Sequence, residues 1–364
     1  MQRLQDVFTI KDLFVQKILD QKLAALANDR FGKHFILADA KDADMALGIA
    51  APGVNPGAGK TDFPFRTLDQ YRQTIRQVVE QGMVDIMLMS CSTSDQLTIR
   101  ERLFDKSIIT PAVRANDTTD IHICRGSSYG SNPSQPFASA PIDHIQAGKS
   151  PCSAADRQLG ANLGLYSVTF NNLAEPDRRT LEAYRDFRLD AEGKGFRHFL
   201  EVFDPNVSPQ THKIPPDQMG GFINDHICRM LAGVPRASRP VFLKIVYHGP
   251  RYMEELCRYD ESIIVGVLGG SSGTTYDAFK LLHDAKKYGA RAALFGRKIN
   301  QAEDQLSFIS MLRSIANDDI TPEEAVRAYH SKLSDAGIKP HRCLAHDMRV
   351  TQGVMRYAAG GTAN

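Results

Sequence analysis

Four features of this sequence could do chemistry together: a lysine and a glutamate set inside apolar runs, and two glycine-rich run ends, the second followed by an arginine. The lysine is Lys244, in Val241-Phe-Leu-Lys-Ile-Val-Tyr247, a run that begins after Pro240 and stops at His248-Gly249-Pro250. A short run so uniformly apolar reads as a strand covered on both faces. Burying an amine in such a place disfavours the ammonium and leaves the neutral, nucleophilic form, which Schiff-base chemistry needs. The commoner fate of a strand lysine is to snorkel to water past an apolar stem. Here the flanking Phe242, Leu243, Ile245 and Val246 favour the chemical role. The glutamate is Glu201, in Phe196-Arg-His-Phe-Leu-Glu-Val-Phe203. Period-two alternation puts it on the face of Phe199 and Phe203, where an acid is costly unless used. A structural salt bridge inside the protein is the alternative.

The glycine-rich ends are Gly269-Gly270-Ser271, after Ser262–Leu268, and Gly296-Arg297, after Ala290–Phe295, and each precedes a helical stretch. Glycine lets backbone approach a ligand closely, and a helix N-terminus offers free N–H groups to an anion. Arg297 adds a bidentate contact suited to phosphate. Two further charged residues end apolar runs. Asp39, after His34-Phe-Ile-Leu-Ala, is a catalytic candidate, with Asp42 and Asp44 near enough to serve instead and a capping role as the plain alternative. Arg114, closing Ile108–Arg114, either faces an anionic substrate or pairs with Asp117 or Asp120.

These residues need a frame, and the order of elements supplies one. Strand-like runs at 34–39, 84–89, 108–114, 164–170, 196–203, 241–247, 262–268 and 290–295 alternate with helical stretches, among them 68–82, 92–104, 175–195, 219–231, 252–259, 275–288 and 304–316. Eight such pairs predict a (β/α)8 barrel in one domain, an open doubly wound sheet being the alternative. Catalytic groups of such barrels gather at the C-terminal ends of the strands, and phosphate after strands seven and eight. Residues 1–33 read as a helical lead-in closing the barrel base, and 318–364 as a helical extension opened by the capping signal Thr321-Pro-Glu-Glu324. Residues 115–157 are polar, rich in Ser, Pro and Gly, and too long for an ordinary connection, so they read as a substrate cover or an oligomer arm. Gly57-Ala-Gly-Lys-Thr61 imitates a P-loop but has Val54 where the motif needs glycine. His341, Cys343 and His346 lack a fourth partner for a metal.

At these residues the chain resembles the class I aldolases of the tagatose-bisphosphate and deoxyribose-phosphate aldolase superfamily. The resemblance is strongest from His198 to Arg297. Phe199-Leu200-Glu201 is similar to that family's acid/base glutamate strand, Leu243-Lys244 to its Schiff-base strand, and Gly269-Gly270-Ser271 and Gly296-Arg297 to its phosphate-binding ends. Lys244-Ile-Val-Tyr-His-Gly249 is also similar to the lysine, tyrosine and glycine of archaeal-type fructose-bisphosphate aldolases. Run four, Leu165–Phe170, has no lysine where the tagatose type has one, and Phe203 stands where the archaeal type has a tyrosine acid, so Glu201 takes the acid/base role. The resemblance implies a lyase that makes or breaks a C–C bond of a phosphorylated ketose through a lysine imine, with no metal or organic cofactor, and assembly into homo-oligomers. A lysine-dependent, thiolase-like acyl transferase of the same superfamily is one alternative. A non-catalytic phosphosugar-binding regulatory barrel is another, against which the presence of both Lys244 and Glu201 argues.

Composition narrows the field further. The 364 residues are 42% hydrophobic and 24% charged, ample for a large core, and a net charge of +2 supplies no field for nucleic acid or an acidic membrane. No stretch approaches the roughly 18 to 20 apolar residues of a membrane span. Six cysteines without a CxxC pair, and no signal-peptide core, point to a reducing cytoplasm.

Overall fold

A computed structural model describes residues 15–55, 63–270 and 273–356. Eight parallel strands close a barrel: β1 Ile36–Lys41, β2 Ile86–Met89, β3 Thr110–Arg114, β4 Leu163–Thr169, β5 Arg197–Phe203, β6 Leu243–Ile245, β7 Val265–Leu268 and β8 Ala292–Phe295. The ring runs β1-β8-β7-β6-β5-β4-β3-β2, so β1 pairs with both β2 and β8 and no edge remains. The architecture is the (β/α)8 barrel that the eight runs predict. The P-loop-like stretch from Gly57 to Thr61 and the candidate Ser271 lie outside the described residues.

Side-chain alternation divides the strands between two cores. Inward residues, including Ala38, Leu88, Leu165, Phe199, Phe242 and Leu294, fill the barrel, with the rings of Phe199 and Phe242 stacked 4.6 Å apart. Outward residues such as Leu37, Met87, Leu200 and Val267 pack against the surrounding helices. The longer helices are α1 Ile18–Asn28, α2 Leu68–Gln81, α3 Ala174–Gly193, α4 Met219–Leu231, α5 Pro250–Tyr259, α6 Thr275–Lys287, α7 Gln305–Ala316 and α8 Pro322–Asp335. Leu19 and Leu26 of α1 belong to the barrel-interior core. Beneath them the Asp85 carboxylate accepts from Lys22 of α1 at 2.8 Å, Arg313 of α7 at 2.9 Å and the Leu37 amide of β1 at 2.7 Å.

Three local departures from the sequence reading matter for the site. Strand β1 runs on to Lys41, two residues past Asp39. The helix expected over 92–104 is one α turn, Cys91–Ser94, followed by π-helical Asp95–Arg100. The segment 115–157 carries a short pairing of its own, Asp117–Thr118 antiparallel with Pro136–Phe137, and brings Asp120, Ile121 and Ile123 to the mouth. Asn206, just after β5, pins it by donating to the carbonyls of Gly130 (3.0 Å) and Asn132 (2.6 Å) and accepting from the Ser134 amide (3.1 Å). At the other end, α8 begins at the capping box foreseen at Thr321, whose hydroxyl accepts from the Glu324 amide while Glu324 accepts from the Thr321 amide at 2.8 Å.

Candidate active site

Strand register sets three inward side chains side by side. Ser167 of β4 pairs with Glu201 of β5, and Glu201 with Lys244 of β6. All three share the inward parity of Leu165, Phe199 and Phe242, one pleat nearer the C-terminal mouth. The Lys244 amine lies 2.5 Å from Glu201 Oε1. Glu201 Oε2 accepts from the Ser167 hydroxyl at 2.7 Å and from Arg114 Nη2 at 3.3 Å. Arg114 also donates through Nη1 to Ser167 Oγ at 2.8 Å and through Nε to Asp42 Oδ2 at 2.6 Å. Asn116 locks the β4 backbone here, accepting from the Ser167 amide and donating to its carbonyl. Glu201 and Lys244 are 2% and 7% exposed, so both are shielded but Lys244 still opens to the cavity above. Burial alone would push the Asp42 carboxyl up, but the charges of Arg114 and Lys244 outweigh it and hold the group below the usual carboxylate range. Burial opposes the charge of Arg114, and Asp42 and Glu201 outweigh that, raising its already high pKa further.

The cavity encloses about 350 Å³ at the C-terminal mouth. Its wall brings together Lys244, Glu201, Arg114, Gly269, Gly270, Gly296 and Arg297, all singled out in the sequence, and adds Asp42 from beyond β1 and Asp120 and Ile121 from the covering segment. Arg114 pairs with neither of the partners proposed for it: Asp117 accepts from Ser139, and Asp120 from Ser134 and Thr169. It braces the carboxylates of Asp42 and Glu201 instead.

Asp39 does not join this group, which corrects the reading that placed it among the catalytic residues. Because β1 continues to Lys41, alternation turns Ala38 and Ala40 inward and Asp39 and Lys41 outward, beneath the helical layer. There the two are fully buried with Oδ2 and Nζ 3.2 Å apart, and Lys41 donates to Gln305 of α7 at 2.8 Å. Burial drives both toward neutrality, raising the Asp39 carboxyl and lowering the Lys41 amine. Asp42 takes the place expected of Asp39 at the mouth.

The glycine-rich ends also differ from expectation. The N-terminus of α6, after β7, is already bonded: the Thr274 amide donates to Asp277 at 2.9 Å, the Asp277 amide to Thr274 Oγ1 at 3.0 Å, and the Thr275 amide to Asp347 at 2.8 Å. Gly269 and Gly296 have packing reasons for lacking a side chain, since a Cβ would meet the Phe295 ring at 2.2 Å and the Ala40 carbonyl at 2.9 Å. Gly270 has φ +59° and open space beside it. Lys298 donates to the Gly273 carbonyl at 2.6 Å. The Arg297 side chain has no hydrogen bond or ion pair to any described residue and lines the cavity.

Sequence reasoning passed over Ser167 and named Asp120 only as a possible partner of Arg114. Ser167 carried a signal, being a hydroxyl with the same inward parity as Leu165, but its contact with Glu201 depends on inter-strand register. Asp120 sits in the 3-10 turn Thr119–Ile121, and nothing in its sequence placed it on the cavity wall. No group of His, Cys, Asp and Glu that could hold a metal occurs among the described residues.

A closed (β/α)8 barrel with a lysine–carboxylate pair at its C-terminal mouth is the class that fold and site define. No protein-family model and no curated protein sequence matches the chain. Solved structures do. An archaeal fructose 1,6-bisphosphate aldolase superposes with a TM-score of 0.55 at 13% identity, over 82% of this chain and 99% of that one. An archaeal fructose-1,6-bisphosphate aldolase with its catalytic lysine covalently bound to the carbinolamine intermediate gives 0.55 at 15% identity, over 81% and 99%. A fructose-bisphosphate aldolase from Slackia heliotrinireducens gives 0.59 at 12% identity, over 86% and 91%. At such identities the likeness is one of fold: the chain shares the (β/α)8 barrel of these structures.

Proposed function

We propose that this protein is a class I aldolase, a lyase that cleaves or forms a C–C bond of a phosphorylated ketose through a Schiff base on Lys244. The observation that carries the reading is the Lys244 amine held 2.5 Å from Glu201 Oε1 at the floor of the mouth cavity. Glu201 accepts a proton from the ammonium and frees the amine, which adds to the ketose carbonyl. Glu201 returns that proton to the carbinolamine hydroxyl, which leaves as water, and the resulting iminium draws in the electrons of the breaking C–C bond. A base must take the hydroxyl proton on the departing carbon, and we assign this to Glu201 through the same Oε1, because Oε2 is occupied by Ser167 and Arg114. Asp42 acts through Arg114, fixing the guanidinium that orients Glu201. Gly269, Gly270, Gly296 and Arg297 are assigned to the phosphate, so that binding energy remote from the reacting carbon aligns it. No step calls for a metal or organic cofactor.

Among the described residues no helix is long and apolar enough to cross a membrane, and the six thiols are unpaired, which supports action in the cytoplasm on a small molecule. Borohydride reduction in the presence of dihydroxyacetone phosphate or a fructose phosphate, followed by peptide mass measurement, tests the reading. The expected result is a stable adduct on Lys244, absent in a folded Lys244→Met variant. An adduct on another lysine, or none with any of these ketoses, overturns it.

A further inference from the structure

The charges on the cavity wall bear on what the substrate carries. Three cations, Arg114, Lys244 and Arg297, face three acids, Asp42, Asp120 and Glu201. Lys244 and Arg114 are already matched, by Glu201 at 2.5 Å and by Asp42 at 2.6 Å. Arg297 is left as the cation of this wall without a partner among the described residues. Asp120 is its counterpart among the acids. Its oxygens are held by two neutral hydroxyls, Ser134 and Thr169, each at 2.8 Å, and no described cation pairs with it. The two enter the mouth from well-separated strands. Arg297 follows β8 and Gly270 follows β7, whereas Asp120 and Ile121 follow β3, which lies three strands from β8 by the shorter way and four from β7 either way round the ring. The apolar part of the cavity wall includes Leu47, Phe203 and, next to Asp120 in the chain, Ile121 and Ile123.

We propose, building on the aldolase reading, that the cavity takes a ketose with a single phosphate, bound at Arg297 and Gly270, and an uncharged distal end. Asp120 is the specificity-determining residue: it accepts a hydrogen bond from a distal hydroxyl, and it repels a second phosphate, which would meet a carboxylate and an apolar wall where a bisphosphate site needs a cation.

Equilibrium binding to the wild-type protein, measured calorimetrically without borohydride, tests this with fructose 1-phosphate, fructose 6-phosphate and fructose 1,6-bisphosphate. The two monophosphates cover both registers of the sugar. The better of them is expected to bind at least about tenfold more tightly than the bisphosphate, through like-charge repulsion at the half-buried Asp120 carboxylate. Asp120→Asn should narrow that ratio to about threefold or less by improving bisphosphate binding, since the amide keeps the shape and removes the charge. Equal or tighter binding of the bisphosphate, a preference that Asp120→Asn leaves in place, or no binding of any of the three overturns the inference. The aldolase reading fails separately: a monophosphate preference in a protein that borohydride never traps on Lys244 would remove the chemistry and leave the charge selectivity standing.

Discussion

The barrel holds two buried lysine–carboxylate pairs, and they face opposite ways. Lys244 and Glu201 come from neighbouring strands, point inward and open onto a cavity. Lys41 and Asp39 come from one strand, point outward and are sealed beneath α7 with both side chains fully buried. Either lysine satisfies the crude criterion of an amine among apolar neighbours. What separates them is strand parity and access: the inner pair can exchange protons with a bound molecule, and the outer pair has no room for one. Burial of a lysine in a strand is thus a statement about cost, and only its direction relative to the barrel axis makes it a statement about chemistry.

The sharpest test of that contrast is Glu201→Gln. The amide preserves shape but cannot accept a proton, so the variant should form the borohydride-trappable adduct more slowly and cleave it about 10² to 10⁴-fold more slowly. Single-turnover rates of trapping and cleavage on the same preparation measure it. Slow trapping with normal cleavage would mean that Glu201 serves the amine alone. The outer pair should respond in stability. Lys41→Met leaves Asp39 buried without its partner and should cost about 3 kcal/mol in urea unfolding, while the Lys244 adduct still forms. Adding Asp39→Leu should recover most of that loss, because a packed apolar pair often equals a buried ionic one. Loss of the adduct in a folded Lys41→Met protein would break the division between inner and outer faces.

His198 offers the smallest and most graded test. It lies on the outward face of β5, bonded to Tyr184 of α3 at 2.9 Å, and burial, with a lesser push from the Arg188 charge, lowers its pKa to about 3. An unfolded histidine titrates near about 6.5, so below that pH the unfolded chain binds the extra proton and the native state does not. The contribution to stability is complete above about pH 6.5 and is lost as pH falls toward the folded value, at no more than about 1.4 kcal/mol per unit. His198→Gln should flatten this slope when urea unfolding is compared at pH 4.5, 5.5, 6.5 and 7.5. Parallel slopes for both proteins would show that His198 is not the titrating group.

The sequence carried the barrel well, since each strand is a short apolar run between turn residues, and it carried Lys244 and Glu201 because period two fixes the face of a residue within its own strand. It failed at Asp39 by two residues of strand length. Alternation is unforgiving there: with β1 prolonged to Lys41, inward parity falls to Ala38 and Ala40, and the mouth position to Asp42. Ser167 was visible as a residue but its contact with Glu201 was not, because register between strands is set by the whole ring. Asp120 was beyond reach, being placed by hydroxyls 14 and 49 positions away in the chain. The closed N-terminus of α6 was hidden for the same reason, Asp347 lying 72 positions from the amide it caps.

That last contact has a consequence for competition. A dissolved anion approaching the first amides of α6 must displace carboxylates that belong to the same chain: Asp277, which takes the Thr274 amide, and Asp347, which takes that of Thr275. A tethered group acts at an effective concentration of roughly millimolar or more, and it is never diluted. Metabolites at lower levels lose that contest, which is why the proposed anion contacts at this mouth are the Arg297 guanidinium and the open backbone at Gly270.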